Sequence, residues 1–233
     1  MKLVDAYSFL RDNKNTPLGK LIGEYQAKYP HYTGELKINK GAVGQFLEKL
    51  IGLENNSSHL DFLDGELKTN KADANGTPME TMFISQISAN FDQLIDTQME
   101  FEDSWLYSKI RNLLYVPVCK VGTNPESWYF HSAYHIQLDN NQELFEQLQD
   151  DFLCIRAKLR DNILNSPDGF IHTSNGKYIQ IRSKDAKRKN GLYNPIYSKI
   201  HGRYVSNKNH AFYFKRDFMR DIQSGTISAE WSI

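Results

Sequence analysis

Apolar residues recur at helical spacing in three stretches of the chain. Thr16 followed by Pro17 is typical of a helix start, with proline at the first helical position, and apolar residues from Leu18 to Tyr25 continue the pattern. A second stripe, from Val43 to Ile51, predicts a helix over residues 40–52. The longest helical pattern covers residues 141–164.

Short apolar runs predict strands at residues 81–87, 113–119, 177–184 and 211–215. The pair Asp64-Gly65 lies between Leu60–Leu63 and Glu66–Thr69, and Asp-Gly between short apolar runs predicts a β-hairpin. The chain has no internal repeat and no low-complexity linker, so nothing in the sequence forces a domain boundary. Together these patterns predict a mixed α/β fold.

The composition excludes several classes of protein. The chain has 233 residues, of which 40% are hydrophobic, and this supports a packed core rather than a disordered or fibrous chain. No apolar run approaches the ~20 residues of a membrane helix, and the first residues soon turn polar, unlike a secretory signal. Two cysteines, Cys119 and Cys154, form no disulfide framework. We therefore expect a cytoplasmic protein with reduced thiols and no membrane partner.

The formal net charge of zero conceals a basic segment. Twelve lysines and arginines lie between Lys177 and Arg220 against only Asp185 and Asp217, so this segment carries +10 and the rest of the chain carries −10. Five tyrosines are interleaved with these charges: Tyr178, Tyr193, Tyr197, Tyr204 and Tyr213. This composition is typical of a polyanion-binding surface, and the alternative is a solvated basic face.

The most informative stretch runs from Asp61 to Lys68. On a strand, Glu66 and Lys68 point to one face and Leu67 to the other, and the turn at residues 64–65 can bring Asp61 beside Glu66. Two converging carboxylates suit Mg²⁺, and a nearby lysine can orient a water and stabilise charge on a phosphate. The pattern resembles that of the PD-(D/E)xK nucleases; the alternative is an ordinary hairpin with a solvated ion pair. Asp64 is a rival ligand, but its place in the turn favours a structural role.

The surrounding motifs extend this resemblance. They are Lys40-Gly41-Ala42-Val43-Gly44-Gln45-Phe46-Leu47-Glu48, Asp61-Phe62, Gly65-Glu66-Leu67-Lys68-Thr69, Pro78-Met79-Glu80-Thr81-Met82-Phe83, Lys109 with Tyr115-Val116-Pro117, Ile179–Lys184 and Phe212–Arg216. In this order they resemble the MutH and Sau-type restriction endonuclease family, over about residues 40 to 222. Two departures matter: the spacing from Asp61 to Glu66 is shorter than in the family, and residues 185–210 match it poorly.

The resemblance implies a fold and a catalytic site. The fold is a restriction-endonuclease-like α/β core with a mixed β-sheet flanked by helices, forming a single domain over residues 1–233 with two lobes around a DNA cleft. The catalytic site falls in residues 40–85 and the DNA-contacting segment in residues 177–220. Asp61 and Glu66 would be ligands of Mg²⁺, Lys68 would assist the attacking water, and Glu48 would add a carboxylate.

The resemblance and the strand alternation together indicate DNA-contacting residues. Ile179 and Ile181 alternate with more polar neighbours, and Phe212 and Phe214 do the same, so each strand has a core face and a polar face. The residues expected to contact DNA are Lys40, Lys109, Arg182, Lys184, Tyr213 and Lys215. Since the family reads bases within the poorly matched segment, the recognised sequence cannot be carried over.

Three functions remain open at this point. The first is a Mg²⁺-dependent type II restriction endonuclease that cuts both strands of duplex DNA at GATC or a related short site, favoured because the basic segment departs from MutH. The second is a MutH-like mismatch-repair nickase of unmethylated DNA. The third is a DNA-binding module without catalysis, which the intact acidic motif argues against. The partner is double-stranded DNA; a restriction enzyme would also imply a homodimer on DNA and a methyltransferase encoded nearby.

Overall fold

The computed structural model describes residues 1–33, 41–53 and 59–232, and these form two compact units. Unit 1 comprises residues 1–80, 111–137 and 220–233, and unit 2 comprises residues 81–110 and 138–219. The α-helices are α1 (Tyr7–Asn13), α2 (Leu18–Lys28), α3 (Ala42–Leu50), α4 (Phe91–Ile95), α5 (Trp105–Ile110), α6 (Gln142–Asn165) and α7 (Arg216–Gln223). The strands are β1 (Glu66–Ala72), β2 (Met82–Gln86), β3 (Asn112–Cys119), β4 (Tyr129–Phe130), β5 (Tyr134–Gln137), β6 (Ser174–Asn175), β7 (Ile179–Ser183), β8 (Ile196–Ser198), β9 (Arg203–Ser206), β10 (His210–Phe214) and β11 (Trp231–Ser232).

The three helices predicted from periodicity are α2, α3 and α6. The first begins at Leu18, so Pro17 is its N-cap and not its first residue. The longest, α6, is capped by the side chain of Asn141, whose oxygen accepts the N–H of Leu144 at 3.1 Å. Among the described residues, no helix is long and apolar enough to cross a membrane.

Unit 1 is built on a mixed sheet. Strand β1 pairs with β3 in parallel, whereas β3 pairs with β4 and β5 antiparallel, and β5 pairs with β11 antiparallel. Every residue of β3 from 113 to 119 is buried, which is the continuous apolar pattern of a central strand. Helices α2 and α3 place Leu21, Phe46 and Leu47 in the same apolar cluster as Leu67 of β1. The predicted mixed sheet with flanking helices is confirmed.

The predicted hairpin at residues 60–69 is wrong. Residues 59–64 form bends, and β1 takes β3 as its partner. The segment before the turn has its hydrogen bonds elsewhere: the N–H of Phe62 donates to the carbonyl of Gly65 at 2.9 Å, and that of Leu63 donates to the carbonyl of Met1 at 3.0 Å. Leu63 is 78% exposed, whereas Phe62 is buried in the core of unit 1. The chain still reverses at the predicted turn.

Unit 2 contains a four-stranded antiparallel sheet in the order β2-β10-β7-β6 and a separate two-stranded ribbon, β8-β9. The strands predicted at residues 177–184 and 211–215 are its central pair, β7 and β10. The ribbon lies in the segment where the family resemblance was poor, and alternation did not predict it.

A buried carboxylate connects α6 to the start of β7. Asp151 is 3% exposed, and its oxygens accept the backbone N–H groups of Lys177 at 2.6 Å, Tyr178 at 2.6 Å and Ile179 at 2.8 Å. The side chain of Gln147 donates a fourth hydrogen bond at 3.2 Å. Gly176 lies so close that an added Cβ would clash with this carboxylate, so a side chain at residue 176 is incompatible with the anchor. Asp151 therefore fixes where β7 begins.

Candidate active site

Asp61, Glu66 and Lys68 converge at the N-terminal end of β1. The N–H of Leu67 donates to Asp61 Oδ2 at 2.9 Å, which holds the Asp61 carboxylate against the strand although no hairpin forms. Lys68 Nζ lies 2.5 Å from Glu66 Oε1, so the predicted one-face placement of these two side chains holds. Leu67, pointing the other way, packs in the core of unit 1. Glu66 is only 3% exposed, and its carboxylate is therefore held in place by burial as well as by Lys68.

Glu48 joins this group from α3. Burial and the negative charges of Asp61 and Glu66, opposed by the Lys68 ammonium, together raise the pKa of the Glu48 carboxyl to about 7. Glu48 therefore lies near enough to Asp61, Glu66 and Lys68 for their charges to act on its carboxyl. Glu48 lies off the buried stripe of its helix, which is formed by Val43, Phe46 and Leu47 among others, so packing does not account for its position.

Asp64, the rival ligand, has a structural role. Its Oδ1 accepts the N–H of Leu3 at 2.8 Å, and its carbonyl accepts the side-chain amide of Asn112 at 2.6 Å. Gly65 follows it, and a Cβ there would lie 2.6 Å from the Asn112 carbonyl oxygen, so the turn requires glycine. Asp64 and Gly65 fix the turn between Asp61 and Glu66.

The donor set fits a hard divalent cation. Three carboxylates, from Glu48, Asp61 and Glu66, face one ammonium, so the cluster carries excess negative charge when its carboxyls are ionised. Over the described ranges, no three His, Cys, Asp or Glu side chains form a ready-made metal cage. A divalent ion held here would bind through one or two of these carboxylates together with waters and substrate phosphate oxygens.

Two cations, one on β7 and one directly after it, lie over aromatic rings. Arg182 is exposed, and its guanidinium carbon lies 4.3 Å from the centre of the Tyr213 ring on β10. Lys184 is also exposed, with Nζ 5.4 Å from the centre of the Phe83 ring. The two rings pack edge to face, with centres 5.7 Å apart. Arg182 and Lys184 therefore lie at the surface, as the alternation predicted.

Tyr213 differs from that expectation. The alternation of apolar and polar residues along its strand suggested that the Tyr213 side chain is free to reach DNA. The residue is only 5% exposed, because Arg182 and Phe83 cover its ring. Lys215 is half-buried and donates to the carbonyl of Gly176 at 3.2 Å. These two residues support the basic strand pair rather than extending from it.

Two predicted DNA-contacting lysines remain, Lys109 and Lys40. Lys109 is half-buried near the end of α5, with Nζ 5.8 Å from the centre of the Trp105 ring. Lys40 falls outside the described residues.

Sequence reasoning missed the anchor residue Asp151, although the sequence contained a sign of it. Asp151 is three residues after Leu148 and four before Ile155, both of which are buried on α6. A carboxylate on the apolar stripe of a long amphipathic helix requires a buried partner. Only the fold identifies that partner as the backbone of residues 177–179.

Two carboxylates on and beside the end of a strand, with a lysine two residues along it, are the arrangement of a metal-dependent nuclease. The family model described as "DNA mismatch repair enzyme MutH" matches residues 52–151, a range that includes Asp61, Glu66 and Lys68. The "DNA mismatch repair protein MutH" of Escherichia coli K12 is 29% identical over 206 residues, covering 86% of this chain and 84% of the relative. The protein of the same name from Shigella flexneri matches to the same extent. The chain is therefore similar to MutH proteins over most of its length, and these matches support a MutH-like nuclease, a family whose fold is restriction-endonuclease-like and whose members generally use divalent metal ions.

Proposed function

We propose that this protein is a Mg²⁺-dependent endonuclease that hydrolyses a phosphodiester bond in one strand of double-stranded DNA, as a mismatch-repair nickase does. The convergence of Glu48, Asp61, Glu66 and Lys68 is the observation that carries this proposal. The similarity of the chain to MutH proteins supports DNA as its substrate.

Each residue of the cluster has a role in this proposal. Asp61 and Glu66 would hold Mg²⁺, which when bound supplies charge stabilisation to the phosphate undergoing in-line attack. Lys68, 2.5 Å from Glu66, is held where its ammonium can orient the attacking water. Glu48 is the carboxyl of this group with a pKa near neutrality, so it is suited to exchange a proton with that water.

DNA binding would rest on the basic segment of unit 2. Arg182 and Lys184 offer exposed cations, and aromatic rings beneath them limit their freedom. Phosphate contacts from such cations supply affinity, whereas contacts to base edges supply specificity.

The relatives named above are mismatch-repair proteins, which favours the nickase over the type II restriction enzyme. A restriction endonuclease remains a second candidate, because residues 185–210 match the family poorly in the region with which family members read bases. That candidate carries its own expectations: cleavage of both strands, a homodimer on DNA and a methyltransferase gene beside this one.

Digestion of supercoiled plasmid separates these functions. With Mg²⁺, a nickase yields open circles and a restriction enzyme yields linear DNA, and end sequencing locates the cut. We expect open circles, and none with EDTA. Linear DNA formed without an open-circular precursor would favour restriction, and intact plasmid under all metal conditions would refute nuclease function.

A further inference from the structure

The ribbon β8-β9 exposes a pair of tyrosines. Tyr197 and Tyr204 lie directly opposite each other across the antiparallel pair, with ring centres 5.3 Å apart in an edge-to-face arrangement. They are 50% and 55% exposed, whereas Ile196 and Val205 on the other face are buried. The ribbon thus has an inner face that packs on unit 2 and an outer face that ends in two rings.

Buried and polar contacts hold the ribbon in place. The carboxylate of Asp92 accepts the hydroxyl of Ser198 at 2.6 Å and the N–H of Lys199 at 2.8 Å. On the other strand, the Arg203 guanidinium donates to the carbonyls of Ile163 at 2.8 Å and Gly169 at 2.9 Å. The tyrosines are therefore exposed on an anchored element, and their exposure does not come from a loose loop.

A second carboxylate, that of Asp185, connects the loop before the ribbon to the residues that follow it. Asp185 accepts the N–H of Asn194 at 2.7 Å and the N–H of Asn209 at 2.8 Å, and these bonds lower the pKa of the Asp185 carboxyl although desolvation opposes them. The bonds join the two ends of the segment that contains the ribbon. Leu192, in the loop before the ribbon, and Ile200, between its two strands, are also exposed, at 63% and 60%.

The positive charge around these exposed side chains favours a negatively charged binding partner. Residues 184–208 contain seven lysines and arginines and one aspartate, a net charge of +6. A second copy of this surface would bring like charges together, whereas DNA offers phosphates for the cations and base edges for the rings. A two-stranded ribbon also fits within the major groove of B-form DNA.

We propose that the β8-β9 ribbon enters the major groove of the DNA substrate and that Tyr197 and Tyr204 contact base edges there, which sets part of the recognised sequence. This inference rests on the proposed function for its partner, but it concerns binding and not hydrolysis. Tyrosine suits the role because its ring packs against apolar groups such as the thymine methyl, while its hydroxyl can bond to a base edge.

The test is enrichment of bound sequences from a randomised duplex library with Ca²⁺ in place of Mg²⁺. We compare the unmodified protein, the pair Tyr197→Ala with Tyr204→Ala, and the control Tyr29→Ala, which removes a tyrosine that is also 55% exposed but lies in unit 1. The unmodified protein and the control should enrich one motif. The paired variant should lose about tenfold in preference at one or more positions of that motif.

Equal enrichment of the same motif by the paired variant would overturn the proposal, and so would the absence of any motif with the unmodified protein. A uniform loss of affinity that leaves the motif intact would also overturn it, because the rings would then add contact without reading bases. Thermal unfolding checks the fold, and the pair Tyr197→Gln with Tyr204→Gln repeats the test if the alanine pair melts early. Plasmid cleavage, scored separately with Mg²⁺, shows whether the nuclease proposal itself fails.

Discussion

Replacing Asp151 by asparagine should destabilise the protein far more than so small a change suggests. The carboxylate accepts three backbone N–H groups and one side-chain amide, two donors on each oxygen. Asparagine keeps one acceptor oxygen and replaces the other with a donor, so at least one buried backbone N–H then faces an NH₂ group. A hydrogen bond to a charged group is worth ~1.5–3 kcal/mol, so we expect a loss of about 2–4 kcal/mol in the free energy of unfolding.

The assay is urea unfolding of the unmodified protein, Asp151→Asn and Asp150→Asn. Asp150 is the preceding residue of the same helix and is exposed, so the control makes the same chemical change without removing the anchor. We expect the control to stay within ~0.5 kcal/mol of the unmodified protein. Gly176→Ala, which would press a Cβ against the Asp151 carboxylate, should resemble Asp151→Asn. If Asp151→Asn unfolds at the same urea concentration as its control, the anchoring role is refuted.

Three further predictions follow from the site and from unit 2. Glu66→Gln and Lys68→Met should each lower plasmid cleavage by about 10²–10³-fold while DNA binding in Ca²⁺ survives, because in the proposed mechanism both side chains act at the scissile phosphate. DNA affinity should fall with salt at a log–log slope of −4 to −5, as expected if ~5 phosphates are neutralised, and Arg182→Ala or Lys184→Ala should reduce that slope by about one. Burial lowers the pKa of His210 to about 4, below its unfolded value near 6.5, so the unfolded state binds more protons between these pH values. Stability should therefore fall by roughly 2–3 kcal/mol as the pH drops from 7.5 to 4.5, and His210→Gln should remove most of that pH-dependent part.

Each of these predictions has a control and a contradicting result. Near-normal cleavage by Glu66→Gln would show that Glu66 is not a catalytic residue. Loss of DNA binding together with cleavage would indicate damage to the fold. A flat salt response would mean that the basic segment is a solvated face. For the pH experiment, His31→Gln changes an exposed histidine and should leave the unfolding curve unaltered at both pH values. An equal pH effect in His210→Gln and the unmodified protein would assign the effect to other groups.

The sequence predicted those parts of the site that depend on local spacing. Alternation along a strand placed Glu66 and Lys68 on one face, and the turn residues brought Asp61 back towards them. The sequence did not predict which strand pairs with β1, because strand pairing depends on residues far apart in the chain. The parallel partner β3 lies 47 residues further along the chain and is buried from residue 113 to 119, which residues 60–63 cannot match.

The residues predicted to contact DNA show the same limit. Alternation along residues 179–184 predicted the exposure of Arg182 and Lys184, but the burial of Tyr213 depends on Phe83, which reaches it through the pairing of β2 with β10. The anchors of the ribbon, Asp92 and Arg203, contact partners 106 and 40 residues away, and no local pattern indicates such pairings. Local patterns therefore assigned side chains to faces but did not show which faces become covered.

The order of segments in the two units has a consequence for engineering. Unit 1 is assembled from three stretches of chain and unit 2 from two, so the chain passes between the units four times, near residues 80, 110, 137 and 219. No single cut can release either unit with all its segments. A chimera that imports unit 2 from another protein would therefore need two inserts, residues 81–110 and 138–219, exchanged together. A single crossover would leave the strands of one sheet divided between the two parent proteins.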